Sequence, residues 1–148
     1  MPQVAQAPTT REGGKVIYTA KIHTTGGREN GAAHSSDGHL DVKLSLAGLG
    51  RAGTNPEQLL AAGWSACFES AIGLSARKKR IALPADLAID AEVDLHLSDD
   101  GYSLSARLNV SLPGLERDVA QALVDEAHQI CPYSKATRGN IDVAITLV

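Results

Sequence analysis

The stretch that decides the fold is Thr54–Arg80, TNPEQLLAAGWSACFESAIGLSARKKR. Its spacing predicts one long helix. Thr54 or Asn55 can cap the start, Pro56 suits the first helical position, and Glu57 puts an acid at the positive end of the helix dipole. Lys78, Lys79 and Arg80 crowd the opposite end, where positive charge is favoured. Leu60, Trp64, Cys67, Phe68, Ala71 and Leu74 recur at three- and four-residue intervals, so they share one apolar face that is expected to be buried. Cys67 lies on that face. Read from this helix alone, it is a small core residue, because free cysteine is among the most buried residue types.

Working outward, Val16–His23 and His39–Leu46 alternate as strands, with a short strand expected at Ala32–Ser36 and a turn at Asp37-Gly38. Gly26–Gly31 reads as a glycine-rich loop. After the helix, Leu87–Leu97 and Tyr102–Leu112 alternate on either side of Asp99-Asp100-Gly101, which makes this the strongest hairpin in the chain. Leu115–Ile130 reads as a second helix that buries Leu115, Val119, Ala122, Leu123, Ala127 and Ile130. Pro132 should end it or begin a new turn, and Ile141–Val148 is a last strand. Antiparallel strands with two intervening helices predict an α+β fold.

The 148 residues are 43% hydrophobic and 21% charged, enough for one domain with a real core. Residues 1–15 read as a loose, flexible tail and 16–148 as the domain. A net charge of −3 gives no reason to expect nucleic acid or an anionic membrane as partner. No apolar run is expected to span a bilayer, and the N-terminus lacks the pattern of a secretory signal. Two cysteines without such a signal predict a reducing, cytoplasmic setting, where a cysteine pair is more often redox-active than structural.

Gly48-Leu49-Gly50-Arg51-Ala52-Gly53 matches a dinucleotide-binding fingerprint, but Pro56 starts the helix too late for it, and the neighbouring strands pair as hairpins. It reads as a plain loop. His23, His34, His39, His96 and His128 show no ligand spacing, so no metal is expected, and no resident cofactor is expected either. Cys67 and Cys131 are too far apart for a C-x-x-C motif. A cysteine peroxidase needs a thiolate, a donor that holds the peroxide oxygens, and a second thiol that traps the sulfenic acid. Cys67 lies mid-helix, so its own helix N-terminus cannot favour the thiolate, and a cation is required. Arg28, Arg51 and Arg138 are candidates, and Arg28, between glycines, is favoured. Glu57 could hold that arginine, although dipole compensation explains it equally well. Ten residues separate Glu57 from Cys67, about 15 Å along a helix axis. A single site containing both therefore needs a bend or a partner chain, and a homodimer with interface sites is preferred.

Together, Gly26-Gly27-Arg28, Ser35-Ser36-Asp37-Gly38, Leu40–Leu44, Gly53–Leu59, Ala66-Cys67-Phe68, Cys131-Pro132-Tyr133-Ser134 and Thr137–Ile141 resemble the organic hydroperoxide resistance (Ohr) proteins of the Ohr/OsmC superfamily. The resemblance covers about Val16 to Val148. It implies an OsmC-like fold in an intertwined homodimer, with a long central helix carrying the reactive cysteine. It also implies a thiol peroxidase that reduces organic and fatty-acid hydroperoxides to alcohols. Cys67 matches the peroxidatic cysteine and Cys131 the resolving one, joined in a disulfide during turnover. Arg28 matches the arginine that polarises the peroxide, and Glu57 the acid that positions it. The implied reductant is a lipoylated protein or dihydrolipoamide. Two other readings are an OsmC-type peroxidase and a non-catalytic domain whose cysteines are core residues.

Overall fold

A computed structural model describes residues 14–148. The tail expected over 1–15 therefore lies, up to residue 13, outside the described residues. The elements run β1 (Ile22–Thr25), α1 (Gly27–Asn30), β2 (Ala32–Ser35), β3 (Asp41–Lys43), α2 (Pro56–Lys78), β4 (Ala88–Ser98), β5 (Gly101–Ser111), α3 (Arg117–Ile130), α4 (Pro132–Thr137) and β6 (Asp142–Leu147). This is an α+β architecture with two three-stranded sheets, ordered β1-β2-β3 and β4-β5-β6.

The long helix forms as its sequence dictates. The Asn55 side chain accepts a hydrogen bond from the Gln58 N–H, and Pro56 opens the first turn. The buried face differs from the predicted stripe at its far end. Trp64, Phe68, Ala71, Ile72, Ser75 and Ala76 are buried, whereas Leu74 is 45% exposed. Seven residues of a straight helix fall slightly short of two full turns, so the covered face drifts gradually away from a stripe of fixed spacing. Ser75 survives in the core because its hydroxyl donates to Glu126 Oε2 at 2.7 Å, and Glu126 also pairs with Lys79.

α2 packs against α3 and β4. By length and composition it could cross a membrane, contrary to the sequence expectation. Its buried side chains instead meet Leu108, Val110, Leu123 and Val124 in the core of the fold. α3 begins later than expected and is rotated by one residue. Ala120, Leu123, Val124 and Ala127 face inward, while Val119 and Ala122 face out.

The β4–β5 hairpin has the expected turn, with Ser98 opposite Gly101. The strand expected over 141–148 joins β5 in parallel, so the second sheet is mixed rather than wholly antiparallel. The α3–α4 segment is the crossover that parallel pairing requires. In the first sheet, β1 begins at Ile22 rather than Val16. Val16, Ile17 and Tyr18 stand 75%, 92% and 76% exposed. Apolar exposure recurs at the turn end of the long hairpin, at Leu95, Leu97 and Tyr102.

On the outer face of that hairpin, Arg107 bridges Asp94 (2.6 Å) and Glu92 (3.0 Å). Arg107, helped by the Ser105 hydroxyl, holds the Asp94 carboxyl at about 2, below the ordinary 3.8. The unfolded chain therefore binds this proton more readily. The ion pair's contribution is complete above about pH 4 and fades as the pH falls toward 2. Urea unfolding should show the wild type ahead of Asp94→Asn near neutrality by a modest margin, because the pair is exposed. That margin should shrink steadily toward about pH 3, and a constant margin would contradict the linkage.

Candidate active site

Two constellations emerge from the four residues singled out by sequence. The first is a pair of thiols. α2 presents Cys67, half-buried, one turn after Gly63. Cys131 is the joint between α3 and α4. Its N–H closes α3 on the Ala127 carbonyl at 2.8 Å, its backbone is extended, and Pro132 starts α4. Cys131 is fully buried, and its thiol shares a hydrogen bond with Cys67. Neither cysteine is in a disulfide.

The electrostatics at Cys67 oppose one another. Burial pushes its thiol up, and the neighbouring Cys131 adds to this through its charge and hydrogen bond. Against them, the Tyr133 backbone N–H donates to the Cys67 sulfur. This donor is absent from the sequence reading. Cys67 is mid-helix and gains nothing from its own N-terminus, but α4 brings an unpaired first-turn N–H to it from another element.

The second constellation is an ion pair. Arg28 sits on α1, which begins after Gly26 and at Gly27, both in the left-handed region (φ 75° and 69°) where glycine is favoured. Its guanidinium meets Glu57 with two hydrogen bonds, at 2.9 and 3.3 Å. That bidentate contact holds the Glu57 carboxyl below its ordinary value and secures the charge on Arg28. Arg28 lines a cleft of about 250 Å³ whose walls include Leu60, Leu95, Tyr102 and Leu104. A second cleft of about 350 Å³ opens beside it toward Ala61 and Val93.

The structure joins Arg28 to Glu57 and Cys67 to Cys131, but within one chain it does not join the two pairs. α2 runs without interruption from Glu57 to Cys67, a rise of about 15 Å. Of the other candidate cations, Arg138 donates instead to the His128 carbonyl, and Arg51 is exposed in its loop.

Around the thiols, sequence reasoning missed how α4 is docked. The Tyr133 ring lies over Gly63, where a methyl group would come within 2.7 Å of its hydroxyl. Trp64 Nε1–H donates to Ser134 Oγ at 3.4 Å, with both residues fully buried. The one available signal was Gly63 itself, since glycine inside a helix costs about 1 kcal/mol and calls for a close approach.

Comparison with known proteins supplies the lineage. Residues 47–146 match the family model described as OsmC-like protein. An organic hydroperoxide resistance protein from Xanthomonas axonopodis pv. citri is 50% identical over 137 residues, covering 90% of this chain and 96% of that protein. The chain belongs to the Ohr/OsmC family. Among solved Ohr/OsmC structures, an organic hydroperoxide resistance protein from Legionella pneumophila superposes with a TM-score of 0.83 at 43% identity, covering 90% of this chain and 98% of the other. The OhrB protein of Bacillus subtilis gives 0.83 at 42% identity, with 90% and 100% covered.

Within one chain, burial and Cys131 dominate at Cys67 and Arg28 does not reach it. In Arg28→Ala, alkylation of Cys67 by iodoacetamide, located by peptide mass, is expected to have a pH midpoint above the ordinary 9.0. A midpoint near neutrality would show that another group holds the thiolate.

Proposed function

We propose that this chain is a thiol peroxidase that reduces organic and fatty-acid hydroperoxides to alcohols. One observation carries the reading. Cys67, still open to solvent, shares hydrogen bonds with a fully buried second thiol and with a backbone N–H, in a chain half identical to an organic hydroperoxide resistance protein. A residue that merely filled the core would not need solvent access on one sulfur and a donor aimed at it.

The Cys67 thiolate attacks the terminal oxygen of the hydroperoxide, the O–O bond breaks, and the alkoxide leaves and takes up a proton as alcohol. Cys67 is left as a sulfenic acid. Cys131 then attacks that sulfur, forming the Cys67–Cys131 disulfide and releasing water. A dithiol, a lipoylated protein or dihydrolipoamide, reduces the disulfide and becomes oxidised. Its second thiol resolves the mixed disulfide without help from another molecule. A reducing cytoplasm suits that cycle.

Arg28 holds the peroxide oxygens and stabilises the departing alkoxide, and Glu57 fixes the guanidinium. Both act on the Cys67–Cys131 pair of a second copy, so the working unit is an intertwined homodimer of domains spanning 16–148. The uninterrupted α2 supports this arrangement, as does the apolar surface at Val16–Tyr18, Leu95, Leu97 and Tyr102. The apolar cleft beside Arg28 supports a greasy substrate, since each buried CH₂ contributes about 0.8 kcal/mol that hydrogen peroxide cannot gain.

The test is to mix reduced protein with one equivalent of an organic hydroperoxide, count thiols and take the intact mass without reductant. Loss of both thiols with two hydrogens is expected, and survival of both would overturn the reading. Cys67→Ser should consume no peroxide. Arg28→Ala should be slower by about two to three orders of magnitude, the usual cost of one oxyanion donor. Light scattering should give a dimer, and a monomer would remove the shared site.

A further inference from the structure

Three contacts from the first turn of α4 land on one face of α2. The Tyr133 ring covers Gly63, Ser134 meets Trp64, and the Tyr133 N–H together with the Cys131 thiol meets Cys67. These contacts are not equivalent. Tyr133 is 37% exposed, so its hydroxyl has water as an alternative partner, and hydrogen bonds to sulfur are weak. Trp64 and Ser134 are each 0% exposed, so neither has water as an alternative partner. The joint at Cys131 is extended and Pro132 lacks an N–H, so helical continuity with α3 cannot set the direction of α4. Its far end is tied to α3 by Arg138 on the His128 carbonyl. Its near end, which carries both partners of Cys67, is tied to α2 through Trp64.

We propose that Trp64 is a positioning residue for the sulfur chemistry: by donating its indole N–H to Ser134 it docks α4 so that the Tyr133 N–H and the Cys131 thiol both reach Cys67. The inference rests on the peroxidase reading of Cys67. Trp64 touches neither peroxide nor sulfur in this role, and it acts through the placement of α4. When the bond is lost, the near end of α4 lifts from α2, the thiolate loses its backbone donor, and the resolving thiol loses its fixed distance.

The experiment follows Cys67 in the full-length protein as a function of pH, by alkylation with iodoacetamide and by rapid mixing with an organic hydroperoxide. Trp64→Phe keeps an aromatic ring and removes the donor. Ser134→Ala removes the acceptor with little change in volume, and it serves alone if Trp64→Phe does not fold. Each is expected to move the acid limb of both profiles to higher pH and to slow the reaction at neutral pH about three- to ten-fold, the range of one hydrogen bond. The double variant should be no slower than either single one, because both act through one bond. Unchanged profiles, a uniform loss at every pH that tracks a fall in Tm, or additive effects of the two changes would each overturn the proposal. If the wild type consumes no peroxide, the peroxidase reading falls, and the alkylation profiles still decide whether Trp64 positions α4.

Discussion

The rigidity of α2 is the constraint from which the rest follows. Twenty-three residues form one helix from Pro56 to Lys78, with two internal glycines but no proline after the first turn. Such a rod fixes the distance between its two chemical features: an acid gripping an arginine near its start and a thiol at its middle. No rotamer change closes a gap of about 15 Å. The fold therefore yields two separate pairs within one chain, each internally complete. Arg28 and Glu57 satisfy each other, and Cys67 and Cys131 satisfy each other. Any chemistry that uses all four must bring a second copy of the rod alongside the first.

The same rod explains the core. A helix covered by α3 on one flank and by a hairpin strand on another needs more than a narrow apolar stripe, and it buries Ser75 as well as Phe68. The cost of that hydroxyl is offset by Glu126, which reaches across from α3 and draws Lys79 with it. This polar tie at one end of α2 and the Trp64–Ser134 tie near its middle fix the helix in register with both of its helical neighbours.

Much of this was legible in the chain. Asn55, Pro56 and Glu57 announce the start of α2, and Asp99-Asp100-Gly101 announces the hairpin. The Arg28–Glu57 contact could be anticipated because an arginine set between glycines beside an apolar pocket needs an acid to hold it. What could not be read were properties that depend on three-dimensional neighbours. Leu74 and Val119 fit their helical stripes yet point outward, because which side of a stripe is covered depends on the partner's position. The parallel pairing of β6 leaves no mark on alternation, which is the same for either direction. The Tyr133 N–H is a backbone group, and no side-chain inventory reveals where it points.

The crossover that ends in β6 also orders events in time. Cys67 leaves the ribosome early, on a helix that can form locally. Cys131 sits on the segment between β5 and β6, so β6 is made after both thiols. Until that strand pairs alongside β5, the α3–α4 segment has only one anchored end, and the second thiol has no fixed address. A chain still being synthesised thus carries a solitary, unmatched cysteine, and the sulfur pair comes into being only after β6 has been made.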